Sequence, residues 1–303
     1  MHRSELRVGA DQAGQRLDRA LQVLCPESSL RTRRRLIEAG QVLVNGEIAH
    51  CARKLRLKDV IGLCLRKDTS PASARFLKQH GGLFFFFKPR GLHTVRLAGS
   101  PSPSLEALLP ELWDGEEKIR LVQRLDCGTS GIVTGVCSDE ALSVFRDAEE
   151  SGHVLKKYFA LLEGSLAATC MASQALDTKK RARTKLLSAE APRSRRTTFV
   201  PLAHLASGSP VPPWLRLPLP VLPCHLTLAG CSIQRGARHQ IRAHAAGLGY
   251  PLFGDSLYGG STYAWYFLHQ AVVSLPGVEC HVLPDWLSEE ALPLAFWDWL
   301  AWK

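Results

Sequence analysis

The residues Arg124-Leu125-Asp126-Cys127-Gly128-Thr129-Ser130-Gly131 put one carboxylate in a turn of small and polar side chains. A β-branched run, Ile132-Val133-Thr134-Gly135-Val136, follows at once and reads as a buried strand. An aspartate fixed in a loop against a strand, two residues after an arginine, is placed for acid–base or nucleophilic chemistry. Taken alone, an aspartate near an arginine is more often a structural ion pair, so the octapeptide needs support from the rest of the chain. Cys127 adds a thiol beside Asp126, but nothing local offers it a base, and it reads as a small buried hydrophobe.

That support comes from three further segments in fixed order: Lys88-Pro89-Arg90-Gly91, Lys156-Lys157-Tyr158, and His239-Gln240-Ile241-Arg242-Ala243-His244 followed by Gly249-Tyr250-Pro251-Leu252 and Gly254-Asp255-Ser256-Leu257-Tyr258-Gly259. With the octapeptide they resemble the K-P-x-G, R-L-D-x-x-T-S-G, K-x-Y and H-Q-I-R-x-H…G-x-P-L-x-G-D-x-x-Y-G motifs of the RluA-type pseudouridine synthases, which isomerise uridine within RNA. The resemblance covers residues 80–276.

The resemblance implies a set of roles. Asp126 is the catalytic carboxylate, acting at the sugar as nucleophile or as base, and the sequence does not choose between them. It has to stay ionised in a partly dry pocket, which a guanidinium favours. Arg242 is the expected partner, on a helix from about residue 238 to 247 where Arg238 and Arg242 share a face, as do Gln240 and His244. Arg238 and Gln240 are expected at the RNA. Tyr158 starts a strand, where its ring can stack on a base and its hydroxyl can donate. Arg124 is expected to fill the stack vacated by an extruded base. The reaction keeps every atom of its substrate, so no cofactor is expected. Nor is a metal, because His239, His244 and His269 have no Cys or carboxylate at ligand spacing.

Two positions depart from the family pattern. Gln123 stands where His usually precedes R-L-D, and Ala237 where a basic residue usually stands, flanked by Arg235 and Arg238. Neither is assigned chemistry, so the departures bear on substrate choice. Two rival functions stay open at this stage. One is a non-catalytic RNA-binding or ribosome-assembly protein, which would not need Asp126, Tyr158 and Arg242 together. The other is a glycoside-cleaving hydrolase, which needs a second carboxylate; Asp255, set between glycine and serine, reads instead as a turn residue.

These residues need a scaffold, and bulk composition bounds it. A chain of 303 residues, 46% hydrophobic and 22% charged, suits two globular domains. No apolar run approaches the roughly 20 residues of a membrane span, and the N-terminus begins no signal peptide, so a cytoplasmic, monomeric protein is expected. Nine scattered cysteines without a C-x-x-C pair read as reduced thiols. The net charge of +10 points to a polyanion, which the family resemblance implies is structured ribosomal or transfer RNA. It is concentrated: residues 1–70 carry +6 and residues 178–200 carry +7.

In residues 1–67, Arg16-Leu17-Asp18, then Leu36-Ile37, Gly40 and Val42-Leu43-Val44-Asn45-Gly46 follow the order R-L-D…L-I-x-x-G-x-V-x-V-N-G, which resembles that of an S4 RNA-binding domain. Leu17, Ala20, Leu21 and Leu24 keep helical spacing, and Pro26 ends that helix. A second helix carries Arg31, Arg34 and Arg35 on one face, expected to contact RNA, with Leu36 and Ile37 opposite; Gly40 reads as its C-cap, before a Val42–Val44 strand and an Asn45-Gly46 turn. Residues 68–80 read as a linker, and residues 81–303 as the catalytic domain. In it, Leu83–Phe87 reads as a buried core strand, Ser138 as the cap of a helix to about Ala148, Tyr158–Leu162 as a strand, and the proline-rich residues 205–224 as an irregular excursion. Strands mixed with single helices, without a βαβ rhythm, predict an α+β fold: a mixed, mainly antiparallel sheet with flanking helices.

Overall fold

In the N-terminal block, Leu17, Ala20 and Leu21 are all buried, as their spacing predicts, and close over Ile37, Val42, Val44, Ile61 and Leu63. The structure is a computed structural model and describes residues 2–38, 42–45, 47–65, 73–96, 103–179, 183–217, 219–263 and 265–301. It divides into two compact units, Met1–Lys67 with Phe253–Tyr266, and Asp68–Leu252 with Phe267–Lys303.

The smaller unit contains β1 (His2–Arg7), α1 (Leu17–Ala20), α2 (Leu30–Glu38), β2 (Val42–Val44), β3 (Glu47–Ile48) and β4 (Val60–Leu65). Its antiparallel sheet has the order β1-β4-β2-β3. Asn45, at φ 57°, makes the left-handed corner between β2 and β3, a conformation that asparagine tolerates better than most residues. Gly40, Gly46 and the Arg35 side chain lie outside the described residues. Asp18 is fully buried and receives the guanidinium groups of Arg16 and Arg34, both at 2.8 Å. A hydrogen bond from Arg16, reinforced by Arg34, lowers its carboxyl to about 2.

The larger unit is built on one mixed, mainly antiparallel sheet. Its strands are β5 (Arg75–His80), β6 (Leu83–Lys88), β7 (Arg120–Leu121), β8 (Ser130–Val136), β9 (Leu155–Glu163), β10 (Cys170–Ala172), β13 (Thr197–Leu205), β14 (Leu226–Ile233), β15 (Leu268–Leu275) and β16 (Val278–His281). β11 (Gln174–Asp177) and β12 (Lys185–Glu190) make a separate hairpin. The main order is β10-β13-β14-β9-β15-β8-β6-β5, with β16 beside β15 and β7 beside β8. All its pairs are antiparallel except β15 with β8. The helices are α3 (Leu105–Leu112), α4 (Asp139–Glu150), α5 (Gln240–Gly247) and α6 (Leu294–Ala301).

Central strands are buried on both faces and so read as continuous apolar runs. β6, Leu-Phe-Phe-Phe-Phe-Lys, is buried throughout, as is β8. Ser138 accepts from the Ala141 amide and caps α4, which runs two residues beyond the predicted end. The linker reading fails at residues 75–80, which form β5 and pair with β6. This edge strand keeps Phe76 against Phe86 and Trp113 while its charged residues face water, and that mixed pattern hid it. Residues 206–225 join β13 to β14 with two isolated bridges among the described residues, Pro210 to Val221 within the segment and Leu215 to Leu287 outside it. No described helix is long and apolar enough to cross a membrane.

Candidate active site

Asp126 lies in the turn that leads into β8, its side chain 24% exposed. Two neighbours splint this turn. The Thr94 hydroxyl accepts from the Leu125 amide at 3.0 Å and donates to the Leu125 carbonyl at 2.8 Å, and the Thr129 amide donates to the Asp126 carbonyl at 3.0 Å. The K-P-R-G segment closes it from the other side. Lys88 is fully buried and donates to the carbonyls of Pro89, Leu92 and Cys127, at 2.9, 2.7 and 3.3 Å, while the Gly91 amide also donates to Cys127 at 2.7 Å. Burial lowers the Lys88 ammonium to about 7, against the opposing pull of Cys127 and Asp126. Burial also raises the Cys127 thiol, in keeping with an inert side chain.

The next residues fix the strand behind the turn. Gly131 has φ 122°, and a Cβ built on it would lie 2.2 Å from the Gln270 carbonyl oxygen, so only glycine lets β8 and β15 approach here. Ser130 bonds His269 Nδ1 at 2.8 Å, and His269 Nε2 donates to the Val282 carbonyl at 2.9 Å. A ring that donates through Nε2 accepts at Nδ1, so the neutral tautomer is defined, and burial lowers His269 to about 4.

The carboxylate faces α5. Arg242 Nη1 donates to Asp126 Oδ2 at 3.0 Å, with the Arg242 side chain only 7% exposed. His239 Nε2 stands 3.8 Å from the other oxygen, Oδ1. His239 precedes α5 in the left-handed region at φ 54°, a conformation uncommon for residues other than glycine but tolerated by histidine better than by most. Each carboxylate oxygen thus faces a basic side chain from one helix start.

Tyr158 lies on β9, directly opposite Gln270 of β15, and its hydroxyl donates to Gln270 Oε1 at 2.5 Å. Burial first, and the negative charge of Asp126 second, push its phenol well above the ordinary tyrosine range, so it is a protonated donor at neutral pH. The two lysines before it have structural partners: Lys156 pairs with Glu149 at 2.5 Å, and Lys157 donates to the carbonyls of Trp299 and Leu300 near the end of α6. The geometry therefore offers a held carboxylate, a cation against it and a buried aromatic ring whose hydroxyl is anchored on Gln270, a set suited to a charged step at a sugar beside a stacked base.

The sequence-predicted residues divide accordingly. Asp126 and Arg242 meet; Tyr158 feels the Asp126 charge; Arg124 and Arg238 are exposed. Two readings are corrected. Gln240 is buried, and its amide is taken up by Ala237, Arg195, Arg196 and Thr197, so it locks the turn before α5 instead of reaching outward. Arg238 does not share a helical face with Arg242, because α5 begins after it and His239 turns the backbone. His244, on the same motif, is buried between Thr197 and the Gln174 carbonyl. In the smaller unit Arg31 is exposed, whereas Arg34 is tied to Asp18. His239, Gln270, Thr94 and the carbonyl-clamped Lys88 had no assigned role in the sequence. Only Lys88 and His239 carried any signal, by lying inside motifs.

Comparison with known proteins places this geometry. Residues 82–247 match the model of the RNA pseudouridylate synthase family, and residues 15–61 match that of the S4 domain. The chain belongs to the RNA pseudouridylate synthase family. Ribosomal large subunit pseudouridine synthase D of Xanthomonas campestris is 27% identical over 259 residues, covering 82% of this chain and 72% of that protein. An uncharacterized RNA pseudouridine synthase of Chloroflexus aurantiacus is 27% identical over 266 residues, covering 83% and 78%. Human RNA pseudouridylate synthase domain containing 1 shares the fold, at 20% identity and a TM-score of 0.56 over 73% of this chain and 88% of that one. The α+β architecture expected from the sequence is therefore the family's. As a member, the chain is an isomerase acting on RNA, and the hydrolase and pure-binder readings are set aside.

Proposed function

We propose that this protein converts particular uridines of structured RNA, ribosomal RNA in the first place, to pseudouridine, with Asp126 as the catalytic carboxylate. The observation that carries the reading is the Asp126–Arg242 pair at 3.0 Å, in a turn that leaves Asp126 partly open while burying its partner. The named relatives that modify the large ribosomal subunit favour ribosomal over transfer RNA as substrate.

The chemistry is bounded by conservation of atoms. The N1–C1′ bond breaks, a C5–C1′ bond forms, C5 loses a proton and N1 gains one. No electrons are exchanged with an outside group, so the residues need only handle charge and protons. Asp126 acts at the sugar, as nucleophile or base. Arg242 keeps it ionised and fixes its direction. Tyr158 stacks on the base and holds its proton, Arg124 enters the stack that the uridine leaves, and Arg238 contacts the backbone. Residues 1–67 hold RNA through exposed basic side chains such as Arg31, and the protein works as a cytoplasmic monomer.

The test is a pseudouridine map of cellular RNA with and without the gene, paired with an assay on large-subunit ribosomal RNA transcribed in vitro. Loss of discrete ribosomal sites, restored by the purified protein on the transcript, is the expected result. An unchanged map and an inert transcript would overturn the proposal.

A further inference from the structure

At this site Gln270 leaves its hydrogen bonding half complete among the described residues. Its Oε1 accepts from the Tyr158 hydroxyl at 2.5 Å, while its Nε2 is buried with no hydrogen-bond partner among the described residues. The residue itself is only 1% exposed. A buried amide donor left unpaired is costly, and such groups in native proteins usually mark a site where something else completes the bond.

Its position in the sheet says what that partner is. Gln270 pairs with Tyr158 on one side and with Gly131 on the other, so it stands between the tyrosine strand and the strand that carries the Asp126 turn. Directly opposed residues of paired strands share a face, which puts the Gln270 amide on the Tyr158 side of the sheet. Gly131 has no side chain there and lets the Gln270 backbone come within 2.2 Å of where a Cβ would be. The register shifts between Gln270 and Val272, a bulge of the kind that re-aims a side chain beside an active site.

Resting on the function proposed above, we infer that Gln270 is a positioning residue for Tyr158 and that its second amide group donates to a carbonyl oxygen of the bound uracil. One amide then performs two tasks. Accepting the phenol proton fixes the ring and keeps the hydroxyl from acting as a donor to the base. Offering Nε2 reads an oxygen that only the correctly seated base presents. Uracil carries two such oxygens, O2 and O4, and loss of this contact harms the seated, reacting base more than general RNA binding.

The test uses the full chain and large-subunit ribosomal RNA transcribed with uridine labelled by tritium at C5, whose release follows C5–C1′ bond formation. Gln270→Met keeps size and removes both polar ends; Gln270→Asn keeps an amide but withdraws it by one methylene. At single turnover with enzyme in excess, both are expected to lower the saturated rate by about 10- to 100-fold while the half-saturating concentration stays within about 3-fold. A saturated rate equal to wild type in either variant overturns the positioning role. The base contact is read separately with transcripts made from 2-thiouridine or 4-thiouridine triphosphate, since sulfur accepts hydrogen bonds weakly. One of the two is expected to slow the wild type and leave Gln270→Met no slower than it already is; equal slowing of both proteins, or of neither, overturns the contact. If wild-type protein releases no tritium from any transcript, the functional reading has failed, not the Gln270 assignment. The Tyr158–Gln270 bond is then judged by melting: Tyr158→Phe with Gln270→Met should cost less than the two single losses added, and strict additivity overturns it.

Discussion

Arg242 Nη1 meets Asp126 Oδ2 at 3.0 Å across 116 residues of sequence, and the arginine is the more buried of the two. Arginine rather than lysine suits this place, because its planar fork stays charged when desolvated and holds a carboxylate in a defined direction. Arg242→Lys is accordingly expected to lower the saturated isomerisation rate by about 10²-fold, with RNA affinity little changed. The exposed Arg238, changed in the same way, should alter that rate by less than about 3-fold. The comparison is a single-turnover assay on the same transcript, and a reversed ranking would mean that the wrong arginine has been paired with Asp126.

Gly131 is expected to be intolerant of any side chain. Its Cβ would collide with the Gln270 backbone, which cannot swing away as a side chain would, and its φ of 122° is itself strained for other residues. Gly131→Ala should destabilise the larger unit by about 3 kcal/mol or more, or prevent folding. Denaturant titration checks this, and a loss below about 1 kcal/mol would contradict the close strand approach.

The Asp18 carboxylate ties its own stability to pH. Its folded value, about 2, lies below the ordinary aspartate value, so the contribution is complete above pH 4 or so and disappears as pH falls toward 2. Because Arg16 and Arg34 are 39% and 46% exposed, the gain is discounted to about 1–2 kcal/mol. Asp18→Asn should therefore cost that much at pH 7, and the gap from wild type should narrow below about pH 4. A gap that is constant with pH would assign the loss to packing.

Arg31 and Arg34 should separate binding from folding. Arg31→Ala is expected to leave Tm unchanged and flatten the dependence of log Kd on log salt by up to about one unit. Arg34→Ala should lower Tm, because it removes one of the guanidinium groups on Asp18. Equal effects of the two on Tm would contradict this division.

Much of the fold was legible because its signals are local. The apolar run Leu83–Phe87 and the Ser138 cap each act within one element and form as read, while Leu17, Ala20 and Leu21 keep their buried spacing over a shorter α-helix, Leu17–Ala20, that continues as a 3₁₀ turn, Leu21–Val23. Strand β5 was not legible, since an edge strand with one wet face carries charges that resemble a linker. At the site, Asp126, Tyr158 and Arg242 were reachable only through their motifs. Spacing along the chain cannot say that residues 126 and 242 meet, nor that Gln240 turns inward to satisfy backbone carbonyls. Gln270 carried no motif. Its importance comes from a register between three strands, which exists only once the sheet has formed.

The central claim is that the Asp126 carboxylate performs the chemistry. Asp126→Asn is nearly isosteric and keeps an oxygen for Arg242, so the fold and the RNA affinity should survive, the latter within a few-fold. An amide neither attacks the sugar nor takes a proton, so tritium release from C5-labelled ribosomal RNA should fall by at least about 10³-fold at single turnover. The expected result is a folded, RNA-binding, inert protein. Pseudouridine formation by Asp126→Asn at a rate within about 10-fold of wild type would contradict it.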